Sequence, residues 1–166
     1  MNGQIIKTTR GSLRVKTCLD WGAQGEVYET DDPEHLLKVY KPCDVDDPDE
    51  IAARRQDFSR RYHTFAQLQF GTDSEVSCLP REYVPVDDIP AYLMRKANGL
   101  SMDTDWATLI DLPLRERYRI AYSLAKALSC LHSREVVHAD IKPENFFFRH
   151  YRKYGFCSPH ACNFNG

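Results

Sequence analysis

Val136-Val137-His138-Ala139-Asp140-Ile141-Lys142-Pro143-Glu144-Asn145-Phe146-Phe147-Phe148 is the stretch from which the rest of the chain becomes legible. Five of its positions carry the signal: His138, Asp140, Lys142, Pro143 and Asn145. At average residue usage, five specified residues at fixed spacing coincide about once in a million positions or less. Taken by itself, the same stretch would also serve as a solvated turn opened by Lys142-Pro143.

The pattern resembles the catalytic loop of protein kinases, in which a catalytic Asp follows a His by two residues and a metal-binding Asn comes five residues later. The resemblance implies that Asp140 accepts or orients the proton of an attacking hydroxyl. It implies that the Asn145 amide oxygen meets a Mg²⁺ bridging phosphates. Lys142 resembles the lysine that steadies the transferred phosphate in serine/threonine-type kinases, a role that suits an ammonium because phosphoryl transfer is mostly positioning and charge neutralisation. His138 reads as a packed, hydrogen-bonded scaffold residue, and His132 has a similar structural reading.

The chain has 166 residues, 42% hydrophobic and 28% charged, which is a folded-domain composition with enough length for a sizeable core. A complete kinase domain is longer. A net charge of −2 and a pI near 6.3 give no electrostatic footprint for nucleic acid or anionic membrane. No apolar run has transmembrane length and the start lacks a signal-peptide core, so the expected location is cytoplasmic, with no membrane segment. The cysteines at 18, 43, 78, 130, 157 and 162 form no paired framework and read as reduced thiols.

Residues 13–40 read as three antiparallel strands, over 13–19, 26–30 and 35–40, with Asp31-Asp32-Pro33-Glu34 as a turn. Gly22-Ala23-Gln24-Gly25-Glu26-Val27-Tyr28 lies between the first two and resembles the second half of the kinase glycine-rich loop, where the backbone must approach phosphates closely. The family has a further glycine two residues before Gly22, where this chain has Asp20. As a pair in a hairpin, Gly22 and Gly25 also fit a plain β-turn. Lys38 lies thirteen residues after Gly25 in the apolar run Leu36-Leu37-Lys38-Val39-Tyr40, where an ammonium requires an anionic partner or solvent. The resemblance implies that Lys38 pairs the α- and β-phosphates of ATP and an acid on the next helix, with Leu36 in place of the family's small residue above the adenine.

That helix is expected from Pro48 to about Phe70, with Asp47 as N-cap, Asp49 and Glu50 at its positive end, and Ile51, Phe58, Tyr62, Phe65 and Leu68 on one face. The acid that would pair Lys38 is either Asp57 or Glu50. Cys78 to Val86 and Ala91 to Met94 read as two more strands around an Asp87-Asp88-Ile89-Pro90 turn. Arg95 to Met102 resembles the kinase hinge, and Tyr92-Leu93-Met94-Arg95 is similar to bacterial kinase-like proteins. The resemblance implies that Met94 guards the back of the adenine pocket, that the backbone of Arg95 to Ala97 meets the adenine edge, that Phe147 is the adenine floor, and that Val27 is among the nucleotide-binding residues. Asp111 to Ser133 is the clearest helix, with Leu114, Tyr118, Ala121, Leu124, Ala125, Leu128 and Leu131 as its apolar stripe.

Two departures from the kinase pattern matter. Ala139 replaces the Arg between His and Asp that commonly meets a phosphorylated activation loop. No Asp follows Asp140, whereas kinases hold the principal Mg²⁺ with the Asp of an Asp-Phe-Gly triplet. Asn163-Phe164-Asn165-Gly166 offers amides in its place, and amides bind Mg²⁺ less well than carboxylates. Cys157, His160 and Cys162 lack a fourth ligand and make a poor zinc site.

The expected fold is therefore α+β and protein-kinase-like. An N-terminal segment (1–12) precedes a small lobe (13–97) of five antiparallel strands plus one helix. An incomplete helical large lobe begins at 98–148, and an atypical tail follows (149–166). The expected function is ATP-dependent protein serine/threonine phosphorylation with Mg²⁺, truncated after the catalytic loop. A non-catalytic, pseudokinase-like nucleotide- or partner-binding module and a small-molecule kinase remain the rival expectations.

Overall fold

A computed structural model describes residues 1–22, 25–41, 46–67, 80–97, 99–137, 141–151 and 156–162. The chain divides into two compact units: Met1–Leu68 with Pro80–Lys96, and Gln69–Leu79 with Ala97–Gly166.

The first unit is one antiparallel sheet with a helix. Its strands are β1 (Ile5–Thr8), β2 (Gly11–Gly22), β3 (Gly25–Thr30), β4 (His35–Val39), β5 (Pro80–Tyr83) and β6 (Ala91–Arg95), in the order β1-β2-β3-β4-β6-β5. The sheet has six strands rather than the expected five. The extra strand, β1, comes from the segment read as preceding the lobe. It was illegible because four residues give one alternation only, with Ile6 buried and Ile5 exposed.

One sheet face carries the core: Ile6, Val15, Tyr28, Leu37, Val39, Val84, Val86, Ala91 and Leu93 pack together. The sheet curls around that core, and its first and last strands are tied by side chains. The Thr9 N–H and hydroxyl donate to the two oxygens of Glu82 at 2.5 and 2.8 Å, and Gln4 Nε2 donates to Asp87 Oδ2 at 2.9 Å. The turn before β6 is a two-residue one, with Val86 and Ile89 exchanging both backbone bonds at 2.9 Å. Asp87 and Asp88 sit there at φ 48° and 64°, a region that Asp tolerates better than most residues.

Helix α1 (Pro48–Gln67) packs on the other face. Its Phe58 ring stacks on Tyr92 at 5.2 Å and meets Tyr40 edge-on at 5.6 Å, while Tyr62 contacts Tyr83 at 5.2 Å and Tyr92 at 5.9 Å. The Tyr40 hydroxyl donates to the Ile51 carbonyl at 3.2 Å, fixing the helix along its length as well as against the sheet. The side chain of Phe65, and Leu68, expected on the same face, lie outside the described residues.

The second unit contains β7 (Leu100–Ser101), α2 (Trp106–Ile110), α3 (Leu114–His132), β8 (Phe146–Tyr151) and β9 (Phe156–Cys162), with a three-stranded sheet in the order β7-β8-β9. Its core is Leu109, Ile120, Phe146 and Phe148, with Leu100, Met102, Leu112 and Leu124 against it. Part of the tail pairs with β8 as an antiparallel hairpin, with Phe148 opposite Pro159 and Tyr151 opposite Phe156.

The buried side of α3 differs from expectation. Ile120, Ala127 and Leu131 are buried, whereas Leu114, Tyr118, Ala121 and Ala125 are exposed. The helix carries two apolar sectors, and residues spaced by three or four drift from one into the other, so periodicity alone does not choose between them. It ends in a Schellman arrangement: Glu135 N–H donates to the His132 carbonyl at 2.9 Å and Val136 N–H to Leu131 at 3.1 Å, with Glu135 at φ 59° where glycine is usual.

Candidate active site

In the first unit the sheet register gathers the expected nucleotide-binding residues onto one face. Asp20 pairs with Val27, Val27 with Lys38, and Lys38 with Tyr92. The next row along the strands is Glu29, Leu36 and Met94. Directly opposed residues of antiparallel strands share a face and alternate along each strand, so Val27, Leu36, Lys38, Tyr92 and Met94 lie together on the α1 side. Lys38 is only 4% exposed, and Leu36 and Met94 are buried beside it.

Gly22 and Gly25 form the closing pair of the β2–β3 hairpin, and residues 23 and 24 between them lie outside the described residues. The glycine at 25 has a reason independent of any phosphate. A Cβ there would collide with the Val39 carbonyl oxygen on β4, so the strands approach too closely for any side chain. Asp20, the departure from the glycine pattern, turns its carboxylate back on the chain, where Oδ1 accepts the Trp21 N–H at 2.8 Å.

The two acids proposed for Lys38 are both held by arginines of their own helix. Glu50 accepts from Arg54 at 2.5 and 3.0 Å. Asp57 accepts from Arg60 and, at 2.7 Å, from Arg61. Burial pushes the Asp57 carboxyl up, but the two guanidinium groups outweigh it and leave it below the usual range. Asp57 precedes Phe58, the residue that seats α1 on the Lys38 face. Lys38 makes interactions of its own, as do Lys142 and Asn145.

After Met94, Arg95 pairs with His35 at the end of β6, and the Lys96 N–H donates to the Glu34 carbonyl at 2.8 Å. Lys96 Nζ donates to Glu29 at 2.9 Å and holds that carboxyl below its ordinary value. Of the expected backbone edge, the Lys96 N–H is thus already committed to the first unit. Ala97, half-buried, opens the second unit.

There, Lys142 is extended (φ −148°, ψ 157°) and exposed, and its carbonyl accepts the Asn145 N–H at 3.0 Å across the 3₁₀ turn Pro143–Asn145. Asn145 is fully buried, at 0% exposure. Phe146 and Phe148 enter the core, so Phe147, opposite Ser101 on β7, projects from the other face of β8. His138 and Asp140 lie outside the described residues, as do the side chains of Cys157, His160 and Cys162 and the 163–166 segment. Among the described residues, no three His, Cys, Asp or Glu side chains stand together as a metal cage. That is compatible with Mg²⁺, which usually takes one or two protein oxygens and completes its shell from phosphates and water.

Sequence reading missed one polar group in the first unit. The Tyr28 hydroxyl donates to Glu26 Oε2 at 2.5 Å, and Lys41 Nζ lies 3.0 Å from the other Glu26 oxygen. Burial, followed by the Glu26 bond, pushes the Tyr28 hydroxyl up to about 12, and the same bond leads in holding Glu26 down. The signal was the i, i+2 spacing of an acid and a tyrosine on one strand.

No family model matches the chain. Among solved structures it is similar to the PknI kinase domain of Mycobacterium tuberculosis, with 21% identity and a TM-score of 0.64 over 99% of this chain and 62% of that one. It is also similar to PpkA-294 in its apo form, with 14% identity and a TM-score of 0.70 at the same coverage. The fold is therefore kinase-like, its curled antiparallel sheet and α1 corresponding to a kinase small lobe, and the chain spans less than two thirds of the length of the structures it matches. Among the described residues no helix is long and apolar enough to cross a membrane.

Proposed function

We propose that this chain carries the nucleotide-binding and phosphoryl-transfer residues of a cytoplasmic protein serine/threonine kinase. The observation that carries the reading is Lys38: an ammonium 4% exposed, on a strand, sharing its sheet face with Val27, Leu36 and Met94. A lysine kept there at the cost of desolvation suits a resident anion. The kinase-like fold supports ATP as that anion's source.

Bound Mg-ATP would supply the phosphoryl group and, through its metal, neutralisation of the phosphate charges. Lys38 would hold the α- and β-phosphates, and the Gly22–Gly25 hairpin would offer backbone donors. Val27, Met94, Arg95, Ala97 and Phe147 would surround the base. Asp140 would accept the proton of a protein Ser or Thr hydroxyl, Lys142 would steady the transferred phosphate, and Asn145 would give one oxygen to Mg²⁺.

A second reading is a nucleotide-binding module without transfer, because Asn163-Phe164-Asn165-Gly166 offers amides where the kinase pattern has a metal-holding Asp, and amides bind Mg²⁺ less well than carboxylates. Calorimetry of ATP binding with and without Mg²⁺, on the chain and on Lys38→Ala, tests the shared premise. Mg²⁺-dependent binding lost by about tenfold or more in the variant supports it. A folded chain that binds no ATP rules it out. Phosphate transfer to a protein rather than to a sugar or aminoglycoside acceptor, lost in Asp140→Asn, then separates a protein kinase from a binding module and from a small-molecule kinase.

A further inference from the structure

Asp20 stands where the glycine pattern has no acid, and the sheet register sets it in the row of the nucleotide face. Along that row Asp20 opposes Val27, Val27 opposes Lys38 and Lys38 opposes Tyr92, so Asp20 and Lys38 share one side of the sheet, two strands apart. At the usual strand spacing that is about 10 Å between their backbones. Asp20 is exposed, whereas Lys38 is buried. The two acids of β3 each meet a lysine, Glu26 with Lys41 at 3.0 Å and Glu29 with Lys96 at 2.9 Å. Among the described residues no such cation holds Asp20. Its Oδ1 accepts the Trp21 N–H at 2.8 Å, at the root of the Gly22–Gly25 hairpin. That bond needs no charge, since a side-chain amide or hydroxyl oxygen accepts a neighbouring N–H equally well.

We propose that Asp20 is a specificity-determining residue that makes the nucleotide site select metal-complexed ATP over free ATP. The inference rests on the reading of Lys38 as the phosphate anchor. Phosphates held by Lys38 and by the backbone of the hairpin lie within about one Debye length of the Asp20 charge at ordinary ionic strength, so the charge is felt. Free ATP brings about four negative charges at neutral pH and its Mg²⁺ complex about two, and the repulsion therefore falls most heavily on the free nucleotide. Lys38 by itself favours the more anionic of the two. Asp20 reverses that preference, a selectivity that comes from a built-in repulsion rather than an added contact.

The test is calorimetry of ATP binding with Mg²⁺ and with a chelator in its place, at one ionic strength, on the chain and on Asp20→Asn, whose amide oxygen still accepts the Trp21 N–H. We expect Asp20→Asn to tighten free ATP by about tenfold and Mg-ATP by about threefold or less, with an unchanged thermal melt. A preference for Mg-ATP as strong in the variant as in the parent chain overturns the proposal and leaves the nucleotide site standing. So does a preference that falls only because Mg-ATP binds more weakly, which makes Asp20 a metal ligand instead. A folded chain that binds ATP in neither condition overturns the proposal together with the reading of Lys38.

Discussion

Lys38 and Tyr92 stand directly opposite one another on β4 and β6, both almost wholly withdrawn from solvent. The Tyr92 ring in turn stacks on Phe58 of α1 at 5.2 Å. Tyr92 is thus the cross-strand neighbour of Lys38 and at the same time a seat for the helix. Phe58→Ala removes the centre of that stack and should cost about 3–5 kcal/mol in urea denaturation, since a buried aromatic leaves a cavity its neighbours fill only partly.

Two glycines should respond differently to alanine. At Gly25 the new methyl meets the Val39 carbonyl, a backbone atom that cannot rotate away, so the expected cost is about 1–3 kcal/mol with faster amide exchange along β4. At Gly11, φ is +124° and no atom lies within reach, so only the backbone penalty of about 1 kcal/mol applies and β4 exchange stays as it was.

Burial of Tyr28 and its bond to Glu26 together set a pH dependence at the alkaline end, and the same bond leads at the acid end. Tyr28 releases its proton near 12 when folded and near 10.0 when unfolded, so its stabilisation is complete below pH 10 and lost as pH rises toward 12. Glu26 is held below 4.5 when folded, so its stabilisation is present above that value and lost as pH falls through the folded one. Tyr28→Phe should flatten the alkaline limb and shrink the acid limb in the difference from wild type, read by denaturation at stepped pH.

Leu36 faces Met94 across the strand pair, and both fill space on the Lys38 face. If ATP binds there, Leu36→Ala should lower stability by about 2–4 kcal/mol and yet tighten ATP binding, because the lost side chain leaves room for the base. Parallel loss of both properties would place the base elsewhere. Denaturation and calorimetry on the one variant decide it.

Asn145 should matter before any metal arrives. Its amide is fully buried, so Asn145→Ala leaves buried partners unsatisfied and should cost about 1–3 kcal/mol without nucleotide. A melt unchanged from wild type would leave Asn145 a metal ligand alone.

Strands β2, β3, β4 and β6 and helix α1 were legible because alternation, Pro48 and the acidic first turn are local signals. Lys38 was legible because an ammonium in an apolar strand violates the pattern around it. β1 escaped because its burial depends on a partner far along the chain, and Tyr92 because an aromatic in a strand looks like ordinary core until its opposite residue is known. The buried side of α3 was misjudged for a related reason: two apolar sectors compete, and tertiary packing alone decides between them. That Glu50 and Asp57 accept from Arg54, Arg60 and Arg61 was not legible, because spacing cannot rank competing side-chain partners.

The Thr9–Glu82 clasp joins residues 73 positions apart, and closing a flexible loop of that length costs about 4 kcal/mol of chain entropy. Contacts of such long range reward the chain late, after the local hairpins have formed. The clasp thus acts on the return journey. Cutting it with Glu82→Gln should leave the refolding rate nearly unchanged and hasten unfolding, so that the lifetime of the native state, rather than the speed of reaching it, rests on that carboxylate.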